Sequence, residues 1–206
     1  MKSLFITFEG IEGSGKSTQA KRLYKWLISQ GYDCIFTKEP GGTEISQKIR
    51  KILLDNKNTK LSEFTELFLY LADRAQHIKE VIEPALSDGK IVITDRFSDS
   101  TLAYQGKGRG IPEKQVNAMN EIATHRIVPN LTILIDIFPA DGLKRIKHKD
   151  RIELESEDFY QRVRQEYMRI ADENPDRVKV FDGTLLPEEI KQKIREIVKP
   201  LLKRRK

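Results

Sequence analysis

Residues 4–18 read LFITFEGIEGSGKST: a run of apolar, β-branched and aromatic side chains that gives way to three glycines, a lysine and a Ser-Thr pair. The opening run is nearly continuous rather than alternating, which is how a strand covered on both faces reads. Gly10, Ile11, Glu12, Gly13, Ser14, Gly15, Lys16 and Ser17 then satisfy G-x-x-x-x-G-K-[ST], and Thr18 continues into the next element. Ala20, Leu23, Tyr24, Leu27 and Ile28 follow at helical spacing, with Gly31 as the stop. Strand, glycine loop and helix in that order are the context of a phosphate-binding P-loop. Small residues let backbone N–H groups close around phosphate oxygens, and the helix N-terminus adds partial positive charge. Lys16 is expected on the β- and γ-phosphates of a nucleoside triphosphate, and Ser17 on its Mg2+.

The pattern repeats along the chain. Strand candidates are 3–8, 33–38, 90–95, 131–136 and 177–181, with helical periods between them. The stretch 63–87 reads as one long helix that Pro84 kinks or shortens. Strand–helix alternation predicts a three-layer α/β/α fold around a five-stranded parallel sheet, with ligands at the carboxyl ends of the strands. We expect one domain over 1–206, with a short lid near 144–156.

The chain's 206 residues carry 37 Lys+Arg against 31 Asp+Glu, a formal charge of +6. That balance suits nucleic acid or small phosphorylated ligands, and no single arm carries it. The KRRK run at 203–206 reads as a solvated tail. No apolar run approaches the ~20 residues of a membrane helix. The single cysteine, Cys34, excludes an internal disulfide framework, and Met1-Lys2 leads straight into a strand-like run. A cytoplasmic protein without signal peptide or membrane partner is therefore expected.

A P-loop alone serves GTPase switches, motor ATPases and small-molecule kinases. No D-x-x-G occurs, and the one N-K-x-x, NKNT at 56–59, ends in Thr. Both observations weaken a GTPase. Asp95 closes the third strand candidate, where a magnesium-side carboxylate belongs, and Arg96 follows it. KEPGGT (38–43) places Pro40 and two glycines where backbone approaches something closely. Arg50 lies in the next helix, and Tyr70 and Arg74 are one helical turn apart. The stretch RFSDSTLAYQGKGRG (96–110) reads as a binding segment more than a packing one. His77, His125 and His148 show no metal-ligand spacing, and no chemistry is assigned to them.

Taken together, FEGIEGSGKST (8–18), EPGGT (39–43), DRFSDSTLAYQGKGRG (95–110), PNLTILID (129–136) and DRIELESEDF (150–159) resemble the thymidylate kinase family of P-loop nucleoside monophosphate kinases. The resemblance implies transfer of a phosphoryl group from ATP to dTMP, with Mg2+, in a homodimer without a nucleic-acid partner. It implies that Glu12 bonds the deoxyribose 3′-hydroxyl and that Arg50 and Arg96 grip the acceptor phosphate. It further implies that Tyr70 stacks on thymine where the family usually has Phe, and that Arg74 donates to the thymine O4. Thr101 and Gln105 would contact the base beside Pro40, Tyr104 would fill the place of a 2′-hydroxyl, and Asp95 would hold magnesium through water. Gly13 stands where some members carry a basic residue. The bacterial arrangement, in which the lid supplies that charge, then implies Arg151 as a catalytic cation with Lys16, Arg96 and Glu12.

Overall fold

The structure, a computed structural model, describes residues 3–147 and 149–203. His148 and the last three residues of the KRRK run lie outside them. Each predicted strand forms, displaced by a residue or less at most ends: β1 (Leu4–Glu9), β2 (Cys34–Lys38), β3 (Ile91–Asp95), β4 (Leu131–Asp136) and β5 (Val178–Asp182). They make one parallel sheet in the order β2-β3-β1-β4-β5.

The three inner strands, β1, β3 and β4, have two buried faces because helices cover both sides. Leu4, Ile6 and Phe8 of β1, Ile91 and Ile93 of β3 and Ile133 of β4 pack with Leu23 and Leu27 of α1 (Lys16–Ser29). Ile190, Ile194 and Val198 of α9 (Pro187–Lys203) join the same layer. The intervening residues Phe5 and Val92 face the other way, onto Ile78 and Ile82. Leu134 and Val178 pack under α8 (Glu157–Glu173). Burying a Leu, Ile or Phe side chain contributes about 1.5–3 kcal/mol, so this double burial is why the strands read as unbroken apolar runs.

Between β2 and β3 lie α2 (Glu44–Leu54), α3 (Glu63–His77), a π-helical segment (Ile78–Ile82) and α4 (Glu83–Ser87). Pro84 does not end the helical run. It occupies the first turn of α4, directly after the π-helical segment, whose wider turn accommodates a residue without an N–H donor. The segment expected to bind rather than pack is helical too: α5 (Ser98–Thr101) runs into a second π-helical stretch (Leu102–Gly108), and most of it is buried. After it come α6 (Glu113–Ala123), β4, the short α7 (Pro139–Lys144) and the lid residues that lead to α8.

Chain order fixes the site. The chain passes from β1 to β2 and β3 on one side, then crosses to β4 and β5 on the other, so the strand order reverses at β1. The crevice at such a reversal lies at the carboxyl ends of the strands. There the register sets Phe8 of β1 beside Asp95 of β3, two residues before the P-loop begins. Among the described residues, no helix is long and apolar enough to cross a membrane.

Candidate active site

The P-loop turns sharply as it leaves β1. Gly10 has φ 135° and Gly13 φ 73°, values that L side chains rarely adopt. A Cβ on Gly13 would run into the backbone of Gly142 in α7, so the loop lies directly on that helix. Lys16 is buried, with Nζ 3.4 Å from the Ile11 carbonyl across the loop. Burial pushes its ammonium pKa down and Arg96 adds to this, although Glu12 and Asp95 pull the other way.

A cleft of about 580 Å³ opens beside the loop. Glu12, Lys16, Ser17, Pro40, Arg50, Tyr70, Arg74, Asp95, Arg96, Thr101, Tyr104 and Gln105 all line it. Sequence separations of ninety residues thus collapse into one cavity, because the P-loop, the β2–α2 turn, α3 and the segment after β3 all meet at the carboxyl edge.

Arg96 is the centre of one end. Its φ of 74° is unusual for a residue with a Cβ, and its N–H is bonded to the Phe8 carbonyl at 2.9 Å. Nη2 pairs with Glu12 Oε1 at 2.6 Å and donates to the Tyr104 hydroxyl at 3.1 Å. That hydroxyl donates in turn to Glu12 Oε2 at 2.5 Å. Burial alone would raise the Glu12 carboxyl, but Arg96 and Lys16 overcome it and hold the pKa below the usual range.

Arg74 organises the other end. It is 2% exposed, far from a solvated helix-surface arginine. Nε donates to Glu39 Oε2 at 2.8 Å, Nη1 to Thr101 Oγ1 at 2.5 Å and Asn120 Oδ1 at 2.8 Å, and Nη2 to the Phe97 carbonyl at 2.9 Å. A guanidinium has five N–H donors, so one on Nη2 remains. His77 is a buried strut: Nδ1 lies 2.9 Å from Glu39 Oε1 and Nε2 2.6 Å from Thr37 Oγ1. Tyr70 is half-buried on the cleft wall, and burial together with Glu66 raises its phenol above the usual range. Arg50 donates to the Pro40 carbonyl at 2.9 Å.

Arg151 is not brought to the P-loop. Its Nε donates to the Leu53 carbonyl at 2.7 Å and its Nη2 lies 2.8 Å from Glu66 Oε2. The physical reason is Glu66, a buried carboxylate on α3 that also pairs with Arg109 at 3.0 Å and accepts from Gln105 at 2.9 Å. Its carboxylate, held ionised by those partners, supplies the charge that draws Arg151 in. The lid cation that does touch the loop is Arg145, whose Nη1 donates to the carbonyls of Gly13 and Gly183, each at 3.2 Å. Asp150, Ile152 and Glu153 line the cleft from the lid.

The sequence reading passed over Glu9, Glu39, Glu66 and Asp73. For Glu66 a signal existed: Glu66, Tyr70 and Arg74 follow at i, i+4 and i+8 on one helix face. Burial pushes the Glu9 carboxyl up to about 7, with Asp99 adding to the rise.

A divalent cation needs oxygen donors here. Asp95 Oδ1 is buried without a hydrogen-bond partner among the described residues, and the Ser17 hydroxyl lines the same cleft. No group of three or more His, Cys, Asp or Glu side chains suited to a metal occurs among the described residues. One carboxylate and one hydroxyl, with phosphates completing the shell, is the sparse protein set that suits Mg2+.

Residues 8–194 match the family model described as thymidylate kinase. A thymidylate kinase of Pelobacter propionicus is 49% identical over 199 residues, covering 92% of this chain and 91% of the relative. That of Symbiobacterium thermophilum is 45% identical over 205 residues, covering 98% and 96%. The crystal structure of thymidylate kinase from Ehrlichia chaffeensis superposes with a TM-score of 0.80 at 34% identity, covering 97% of this chain and 100% of that one.

Asp73, beneath Arg74, gives the site a measurable pH signature. Its Oδ1 accepts from the Gly41 N–H at 2.7 Å, and burial, with Glu39 second, raises its pKa to about 6. A carboxyl whose pKa is higher folded than unfolded stabilises the fold fully below the unfolded pKa, and that stability is lost as pH rises through the folded value. Asp73→Asn should therefore match the wild type near pH 4 and exceed it by up to about 3 kcal/mol at pH 8. Urea denaturation midpoints across that range check this; parallel curves would refute it.

Proposed function

The chain belongs to the thymidylate kinase family, and we propose that its cleft seats ATP on the P-loop and dTMP against Arg96 and Arg74, so that the two meet over Lys16. The reaction is phosphorylation of dTMP to dTDP with ATP. The observation that carries the reading of the site is that the P-loop lysine and the donor-only Arg74 face one cleft. Arg96 is tied to the first through Glu12, and Arg74 bonds the carbonyl of Arg96's neighbour Phe97.

In this reading the acceptor's phosphate oxygen is itself the nucleophile. A phosphate monoester is largely dianionic at neutral pH, so no strong general base is required. Catalysis is alignment and charge neutralisation. Lys16 and the P-loop amides hold the donor phosphates, while Arg96 and Arg50 hold the acceptor phosphate. Ser17 and Asp95 would hold Mg2+, which when bound neutralises charge on the β- and γ-phosphate oxygens. Glu12 keeps Arg96 charged and aimed, and accepts from the deoxyribose 3′-hydroxyl. Tyr104 occupies the space a ribose 2′-hydroxyl would need, and Tyr70, Thr101, Gln105 and Pro40 bound the base. The remaining Nη2–H of Arg74 suits a carbonyl at base position 4. Cytosine presents an amino group there, and two donors facing each other leave a buried group unpaired at about 1–3 kcal/mol.

The lid completes the charge. Arg145 already rests on the Gly13 carbonyl, whereas Arg151 reaches the phosphates only by leaving Glu66. The assembly is proposed to be a homodimer. Ile45 and Ile52 on α2 and Phe64 and Phe68 on α3 are 43–54% exposed, an apolar face on two helices packed together. A second copy of the chain would cover it.

Coupled ADP assays test this reading. Lys16→Ala and Arg96→Ala should each lower turnover with dTMP by orders of magnitude while the fold persists. Wild-type dCMP should be roughly tenfold or more poorer than dTMP, and equal rates would contradict the Arg74 assignment. Arg145→Ala and Arg151→Ala, compared side by side, assign the lid cation: the one that lowers kcat with dTMP affinity retained carries it, and two unaltered kcat values would exclude both. Phe68→Glu should convert a dimer to a monomer in sedimentation equilibrium; an unchanged mass would remove this face from the interface.

A further inference from the structure

Glu9 is the last residue of β1, fully buried, and none of the roles above uses it. Its two oxygens divide the work. Oε1 accepts from the backbone N–H of Phe97 at 2.7 Å. Oε2 accepts from the Ser100 hydroxyl at 2.6 Å and the Tyr167 hydroxyl at 2.9 Å. Both hydroxyl oxygens lie 3.2 Å from Arg96 Nη1.

Ionised, a carboxylate only accepts. It therefore draws the protons of Ser100 and Tyr167 toward itself and leaves their lone pairs facing the guanidinium. Arg96 is also clamped through the backbone. Its own N–H is fixed to the Phe8 carbonyl, and the next N–H is fixed to Glu9, so the peptide that must keep φ at 74° is tied on both sides to consecutive residues of β1. Phe97's carbonyl meanwhile accepts from Arg74. One side chain thus braces the backbone between Arg96 and the Phe97 carbonyl that Arg74 bonds.

We propose that Glu9 is the positioning residue for Arg96: it sets the backbone and the hydrogen-bond polarity that aim the guanidinium at the acceptor's phosphate. This rests on the reading of Arg96 as the acceptor-phosphate arginine. Glu9→Gln keeps the shape but substitutes a donor for one acceptor. One oxygen can still take the Phe97 N–H, but the amide N–H2 then forces Ser100 and Tyr167 to accept. Their own protons must turn elsewhere, among them toward a cation.

The experiment measures dTMP and thymidine affinities by calorimetry at pH 8, where the Glu9 carboxyl is ionised, on the wild type, Glu9→Gln, Arg96→Ala and the double variant. Glu9→Gln is expected to weaken dTMP roughly tenfold, leave thymidine and the KM for ATP unaltered, and cause no further loss once Arg96 is alanine. A merely structural role would weaken both ligands together, or weaken dTMP as much in the Arg96→Ala background, and either result overturns the proposal. If Glu9→Gln does not fold, Tyr167→Phe carries the same comparison, because it deletes one relayed hydroxyl and keeps the ring; unchanged dTMP affinity there overturns the proposal. Undiminished dTMP affinity in Arg96→Ala would instead sink the reading of the acceptor site itself, and the role of Glu9 with it.

Discussion

Charge buried before any ligand arrives is the constraint on which this architecture rests. A cleft for two phosphorylated nucleotides needs fixed cations, and an uncompensated cation in a low-dielectric interior costs several kcal/mol. The chain answers with carboxylates already in place. Glu12 holds Arg96, Glu39 holds Arg74, and Glu66 holds Arg109 and Arg151. Each pair joins distant segments: P-loop to β3, β2 to α3, α3 to the lid. The electrostatics of binding and the tertiary structure are therefore the same set of contacts. Breaking one partner of a buried pair costs more than the pair itself contributes, because the survivor is left charged and dry.

How far the sequence reveals this depends on what each feature needs. The sheet was legible because a strand buried on two faces must be apolar at every position, and β1, β3 and β4 leave few polar residues inside. The P-loop was legible because positive φ at Gly10 and Gly13 and the contact with Gly142 tolerate almost no other residue. Arg74 was only half legible: helical spacing put it beside Tyr70, but the four acceptors that bury it come from β2, α5, α6 and the turn after β3. The π-helical stretches were illegible. Their wider turn breaks the 3.6-residue period: 78–82 passes as part of one long helix over 63–87, and 102–108 reads as part of a binding segment. The position of the Arg151 side chain was illegible for a related reason. Its motif fixes a turn, in which Asp150 Oδ1 accepts from the N–H groups of Ile152 and Glu153. The direction of its side chain is decided by Glu66, eighty-five residues earlier in the chain.

Glu66 also links recognition to the lid. It accepts from Gln105 on the base side of the cleft, and Arg109, which it holds, pairs with Glu155 of the lid at 2.6 Å. Movement of Arg151 toward a phosphate would leave Glu66 to Arg109 and Gln105, which satisfy the carboxylate in its absence. If the lid closes in this way, it would exchange one ion pair for another rather than strand a buried charge.

The two ends of the acceptor pocket discriminate by different physics. In the proposed reading Arg74 reads a carbonyl with a donor whose four companions are all fixed, so it could not rotate to accommodate an amino group. A methyl group on the base is sensed only by the space Tyr70, Pro40 and their neighbours leave for it. Filling or leaving such space is worth about 1–3 kcal/mol per methyl, with no polar group stranded by its absence. On that reading, rejection of cytosine would be a property of a rigid hydrogen-bond frame and would resist small shifts of the wall. Preference for thymine over uracil is a property of packing, and dUMP should remain a weaker but real substrate. On that reading the buried carboxylates act on selection by fixing the donors.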